Sequence, residues 1–172
     1  MRSVFQKCPR CGSSQIVWPD PKHFRCGDCG LVFFRNITSA VGGFISDAAG
    51  RVVFVRRSRE PSRGMLAVPG GFVDPGESAE DALRREILEE VGLKVGSLEF
   101  LCSAPNLYRY KEVNYDVLDL FFSGSVQSFA EAKALDEVDG LIIERPEVVT
   151  PDEIAFPSVR LALAMLVSRK AT

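Results

Sequence analysis

Residues 70–93 read GGFVDPGESAEDALRREILEEVGL, a stretch that admits little besides a short helix with fixed ends. Ser78 followed by Asp81 is a capping pattern that satisfies free backbone N–H groups at a helix start. Gly92 supplies a residue able to leave the last turn with positive φ. At 3.6 residues per turn, Leu83, Ile87 and Val91 align as an apolar stripe. Glu86, Glu89 and Glu90 fall within an arc of roughly 100° beside that stripe, not opposite it. Like charges four residues apart, as at Glu86 and Glu90, destabilise a helix by a few tenths of a kcal/mol. Partial burial enlarges that conflict. A divalent cation removes it, because carboxylates are the ligands that Mg²⁺ and Mn²⁺ prefer. A solvated acidic stripe is the alternative. Arg85, four residues before Glu89, is placed to hold one acid while the others bind metal. Pro69-Gly70-Gly71 lets the backbone come close to a ligand, and the Gly70 carbonyl is a candidate fourth oxygen.

A second constraint lies near the N-terminus. Cys8-Pro-Arg-Cys11 and Cys26-Gly-Asp-Cys29 are two CxxC pairs, each followed by a glycine, Gly12 and Gly30. The N-terminus lacks the apolar stretch of a secretory signal, and no apolar run approaches a membrane span. The expected location is therefore cytoplasmic, with no membrane partner. In a reducing compartment, paired cysteines favour a metal over two disulfides or a redox pair. Residues 1–35 are read as a four-cysteine zinc ribbon whose metal supplies much of its folding energy. The intervening SSQIVWPDPKHFR suits a hairpin. Trp18 is expected to pack the ribbon against the rest of the chain. His23 is expected on the ribbon surface.

The remainder, residues 36–172, reads as one further domain. Stretches 40–46, 51–57, 98–104, 112–126 and 140–145 are rich in β-branched and aromatic residues and are read as strands. Residues 156–170 place Val159, Leu163 and Leu166 at helical spacing. Strands interleaved with two helices indicate a mixed α/β layered domain. Cys102 is read as a small core residue. The net charge of −2 in 172 residues provides no basic field toward nucleic acid or anionic lipid. The ribbon loop agrees, setting Lys22, His23 and Arg25 against Asp20 and Asp28.

The opening stretch resembles the Nudix box, G-x5-E-x7-R-E-U-x-E-E-x-G-U with U aliphatic. Gly71, Glu77, Arg85, Glu86, Ile87, Glu89, Glu90, Gly92 and Leu93 match every fixed position. At average residue usage such a match arises by chance on the order of 10⁻⁹ per start point. The approach to the box, with Arg56, Arg57, Glu60, Pro61 and Gly64, is also similar to the family. Leu66 stands where many members carry tryptophan. The resemblance implies an α/β/α sandwich with a mixed sheet, here preceded by the zinc ribbon. It implies hydrolysis of a nucleoside diphosphate linked to another group, with Mg²⁺ or Mn²⁺. By position, it makes Glu86, Glu89, Glu90 and the Gly70 carbonyl metal ligands. Glu86 becomes general base, Arg85 orients the glutamates and Glu77 braces the loop against the helix. Members often add an acid from a later loop; Glu137 is preferred here, with Asp136 beside it. A homodimer is a further expectation of the resemblance.

A zinc ribbon ahead of such a domain is similar to the NADH pyrophosphatase group. The position of Cys8 carries the expectation that the additional N-terminal region of that group is lacking. The group's S-Q-P-W-P-F-P-x-S signature meets SAPNLYRY at Ser103–Tyr110, matching at Ser103 and Pro105 and departing at the tryptophan and the later prolines. A dinucleotide-type substrate such as ADP-ribose or NADH is expected. Arg56 and Arg57, with Arg59 and Arg63, are candidate phosphate clamps. Tyr108 and Tyr110, with Tyr115, are candidate base-stacking residues, or else strand-edge packing. The competing class is a regulator that binds a nucleotide or nucleic acid without turnover, against which the complete set of acids argues.

Overall fold

The computed structural model describes residues 5–170. Two separate sheets form. The small one has three antiparallel strands in sequence order, β1 (Ile16–Val17), β2 (His23–Cys26) and β3 (Val32–Phe34). Its interior is aromatic: Phe24 is fully buried and packs against Trp18 and Phe33, with ring centroids 5.3 Å away in both cases. Phe5 closes the cluster. Trp18 thus serves the ribbon's own core, and the expectation that it bridges to the larger domain is corrected. A module this small has so little interior that its one indole is drawn inward.

The large sheet is mixed. β4 (Thr38–Ser46) runs parallel to β8 (Val113–Ser125), and β7 (Leu98–Tyr110) pairs antiparallel with β8 along the outer edge. β9 (Val138–Glu144) covers one edge of β5 (Val52–Arg57). The other edge of β5 is shared by the end of β4 and the two-residue β6 (Leu66–Ala67). Helix α1 (Ala79–Val91) lies on one face and α2 (Pro157–Lys170) on the other.

Why the strands read as unbroken apolar runs is now clear. Successive side chains of a strand point to opposite faces, and here both faces are covered. Ile45, Val53, Val55 and Phe122 pack with Leu83, Ile87 and Val91 of α1. Their sequence neighbours Phe44, Val52, Phe54 and Phe121 pack with Val159, Leu163 and Leu166 of α2. Burying each such side chain contributes about 1.5–3 kcal/mol, enough to hold both helices on the sheet. Cys102 is buried in the α2-side core.

α1 has the ends its sequence calls for. The Ser78 side chain accepts from the Asp81 N–H at 3.1 Å, and Gly92 has φ 71° with its N–H donating to the Leu88 carbonyl. β7 runs six residues beyond the expected strand end, through Pro105. An edge strand tolerates a proline, which lacks only an N–H that nothing needed to accept. Among the described residues, no helix is long and apolar enough to cross a membrane.

Candidate active site

The loop after β6 is fixed by main-chain contacts to β4. Val41 N–H donates to the Gly71 carbonyl, and Gly43 N–H to the Pro69 carbonyl. Gly70 between them has φ 152°, and a Cβ there would stand 2.0 Å from the Val41 carbonyl oxygen. A Cβ on Gly71 would meet Glu86 Oε1 at 2.4 Å. Two glycines are therefore required for the loop to pass between β4 and the glutamates of α1.

Arg85 ties loop and helix together. Its Nε and Nη2 donate to the two oxygens of Glu77, at 2.8 and 3.0 Å. Nη1 donates to Glu86 Oε1 at 2.8 Å and Glu89 Oε2 at 3.1 Å, and Nη2 also reaches the Phe72 carbonyl. Glu77 in turn accepts from the Asp74 N–H. Glu90, the third acid, accepts from the Gly70 N–H at 2.9 Å. Its burial pushes its pKa up to about 8, an effect the Gly70 N–H only partly offsets and the neighbouring Glu86 reinforces. Burial also raises the Glu86 pKa, against the pull of Arg85. Two half-buried carboxylates that resist ionisation side by side suit a divalent cation, which supplies the missing positive charge.

Loop 133–136 brings further acids to this point. The N–H groups of Lys133, Leu135 and Asp136 donate to the carbonyls of Val91, Glu90 and Glu89. The unpaired carbonyls that end any helix are thereby satisfied, and the next residue, Glu137, is set facing the glutamates. Its charge is felt by both Glu86 and Glu90. Glu137 has φ 56° and forms an ion pair with Arg59. Its carbonyl accepts from the Ser58 N–H and hydroxyl.

Arg85, Glu86, Glu89, Glu90, Asp136 and Glu137 line a cleft of about 360 Å³. Arg57 and Arg59 line it too; the Arg57 guanidinium lies 4.9 Å from the centre of the Phe156 ring and donates to the Pro61 carbonyl. Arg56 is not among the lining residues. It donates instead to the Gly64 carbonyl at 2.6 Å, since adjacent strand residues face opposite ways. Arg63 is exposed and outside the cleft. Tyr108 lines the cleft, edge-on to Phe72 at 5.4 Å and 6.0 Å from Phe156. Tyr110 lies beyond it, exposed, with Lys111 over its ring; Tyr115 is likewise outside. Lining residues to which the sequence assigns no role include Phe72, Asn106, Asp119 and Phe156. Asp119 carried a signal, a charge in the middle of the apolar run VLDLFF of a doubly covered strand.

In the ribbon, the four cysteine sulfurs lie within 4.8 Å of one another, with Cys8–Cys29 at 3.7 Å and Cys11–Cys26 at 3.6 Å. A tetrahedron of about 2.3 Å metal–sulfur bonds separates its sulfurs by about 3.8 Å. No disulfide joins them. Backbone N–H groups of Cys29 and Asp28 bring the Cys26 thiol down to about 7. Cys11 is pushed up to about 12 by the neighbouring cysteine sulfurs, even though the Ser13 N–H favours its thiolate. Four sulfurs this close can all ionise only with a cation among them, and the cluster fits a small zinc ribbon. Gly12 and Gly30, at φ 75° and 72°, turn back to the Cys8 and Cys26 carbonyls.

A family model described as the NUDIX domain matches residues 36–167. The chain belongs to the NUDIX family. It is 34% identical over 96 residues to an NAD-capped RNA hydrolase NudC of Chromobacterium violaceum, covering 56% of this chain and 36% of that protein. It is 44% identical over 69 residues to an ADP-ribose pyrophosphatase of Methanocaldococcus jannaschii, covering 39% of this chain and 40% of that one. The matched stretches thus span less than half the length of these curated relatives. A NUDIX hydrolase structure from Nitrosomonas europaea superposes with a TM-score of 0.76, covering 97% of this chain and 94% of that chain. At 19% identity this likeness is one of fold.

Proposed function

We propose that the chain is a metal-dependent pyrophosphohydrolase acting on the diphosphate of a dinucleotide-type substrate, ADP-ribose or NAD(H). The observation that carries this reading is the Arg85 fork, which binds Glu77 and gathers Glu86 and Glu89 beside Glu90 in the lining of a cleft that also holds aromatic rings. The relatives named as an ADP-ribose pyrophosphatase and an NAD-capped RNA hydrolase support the substrate class. Residues 1–35 are taken as the ribbon, holding Zn²⁺ on Cys8, Cys11, Cys26 and Cys29, and 36–172 as the catalytic domain.

Glu86, Glu89, Glu90 and the Gly70 carbonyl would hold Mg²⁺ or Mn²⁺. When bound, such a cation neutralises diphosphate charge and acts as a Lewis acid toward phosphoryl oxygen. Glu86 is oriented by Arg85 through one oxygen, leaving the other to accept the proton of an attacking water. Arg57 and Arg59 offer guanidinium groups to the phosphates from the facing wall. Glu137, released from Arg59 as phosphate takes that arginine, adds a carboxylate to the cluster.

The test is a substrate panel with Mg²⁺ and with Mn²⁺: ADP-ribose, NADH, NAD⁺, nucleotide sugars, coenzyme A, nucleoside triphosphates and NAD-capped RNA, with products resolved by mass. Cleavage at the diphosphate of ADP-ribose or NAD(H), lost in Glu86→Gln with the fold retained, is the expected result. Binding of these compounds without turnover would replace the hydrolase with a nucleotide-sensing regulator.

A further inference from the structure

The cleft also holds a carboxylate that the proposed hydrolysis does not use. Asp119, on β8, is 7% exposed and lines the cleft among apolar walls. Its Oδ2 accepts from the Ser158 hydroxyl at 2.5 Å, and the Asn106 side chain is its other partner. Both partners are neutral. An ionised carboxylate has about four acceptor positions, so two neutral donors leave it under-supplied in a place where water is largely excluded. A buried charge kept this way is costly unless something else donates to it. The same cleft is lined by aromatic rings: Tyr108 and Phe156 with centroids 6.0 Å apart, and Phe72 edge-on to Tyr108.

Aromatic side chains in the lining favour a planar ring, and a carboxylate acceptor in the same lining selects N–H donors on that ring's edge. We propose that this slot reads a nitrogen heterocycle bearing an exocyclic NH₂ group, whose hydrogens donate to Asp119. Two sources share this chemistry within the proposed substrates: the amine of adenine and the carboxamide of nicotinamide. The inference rests on the reading of the cleft as a nucleotide site, and it adds which end of the substrate is recognised and by which residue. Asn106 and Ser158 act by holding the Asp119 carboxylate in place.

Binding of monophosphates separates this from hydrolysis, since none of them has a diphosphate to cleave. Affinities of the wild-type chain for AMP against IMP, and for nicotinamide mononucleotide against nicotinic acid mononucleotide, are to be measured by calorimetry. The first pair exchanges the NH₂ group for oxygen on a similar neutral ring; the second makes the same exchange and adds a carboxylate charge, so there the Asp119→Asn comparison carries the assignment. The expected result is a preference of about 10-fold or more for the NH₂ member of one pair, the size of effect given by one lost hydrogen bond to a charged group. The pair that shows it names the source. Asp119→Asn, which turns part of the acceptor into a donor, should shrink that preference to threefold or less while circular dichroism stays native. Equal binding within both pairs, or binding of none at millimolar concentration, overturns the proposal. The wild-type comparison decides this even if the variant fails to fold. Equal binding in an enzyme that cleaves the panel removes only the slot assignment. A preference without turnover removes only the hydrolase.

Discussion

Arg85 is the residue on which the acidic cluster depends. Its planar fork meets Glu77 with two parallel hydrogen bonds while Nη1 reaches Glu86 and Glu89. These carboxylates also raise its own pKa, Glu77 most of all, so its charge is present at any working pH. Lysine has the charge but a single nitrogen, and cannot serve Glu77 bidentately and two further acids at once. Arg85→Lys is therefore expected to lower kcat/KM by about 10–100-fold, the usual cost of loosening a group that orients metal ligands. Mn²⁺ binding by calorimetry should weaken in parallel, with circular dichroism unchanged. A variant within threefold of wild type in both measurements would show that the glutamates hold their positions without the fork. The same local logic explains why this part of the site was readable in the sequence. Arg85, Glu86, Glu89 and Glu90 lie on one helix, so spacing alone fixes their relation. Arg56 and Arg57 were read as equivalent, but only one of two adjacent strand residues can face the cleft, and the phase of β5 is set by its neighbours. Asp119 and Ser158 are 39 residues apart in the chain, and no local pattern joins them.

Elements show the same division. α1 was legible because its caps, Ser78 and Gly92, sit within its own sequence. The extension of β7 past Ala104 was not, because whether Pro105 breaks a strand depends on whether that strand is at an edge. β6 is two residues long, too short to carry any period, and exists because β5 has half an edge to fill. The turn between β4 and β5 is locally encoded by Asp47. Although burial opposes its charge, Asp47 accepts from the Arg51 side chain at 2.9 and 2.6 Å and from the N–H groups of Ala49 and Arg51, and its pKa is lowered in consequence. A carboxylate whose folded pKa lies below its unfolded one contributes stability above the unfolded value, lost as pH falls through the folded one. Asp47→Asn should accordingly lower the urea midpoint at pH 7. Below the ordinary aspartate range of about 4, the gap from wild type should close as the native carboxylate protonates. A gap that is absent, or constant from pH 7 to pH 3, would show that the turn is held by its backbone bonds alone.

At the scale of the molecule, the ribbon and the NUDIX domain draw stability from different sources. Two covered sheet faces give the larger domain its own core. The ribbon has one aromatic cluster and four sulfurs, and structural zinc in modules of this kind contributes an apparent ~10–16 kcal/mol at neutral pH. Arg35 joins the two, its guanidinium paired with Asp116 of β8 and its N–H donating to the Lys22 carbonyl. Trp18 is the chain's single tryptophan, and its packing against Phe5 and Phe24 makes its fluorescence a report on the ribbon. Removing the proposed zinc should therefore separate two events that a global probe would merge. In Cys26→Ser, or under a strong zinc chelator, bound zinc should fall from one per chain to none. Trp18 emission should shift to the red as water reaches the indole. The far-ultraviolet dichroism of α1 and α2 should persist, with a cooperative thermal transition of its own. If Trp18 emission and metal content both stay unchanged, the sulfurs are not a metal site, and the aromatic cluster alone holds the ribbon. If the helices melt together with the ribbon, the Arg35–Asp116 junction makes one cooperative unit of what the separate sheets divide into two.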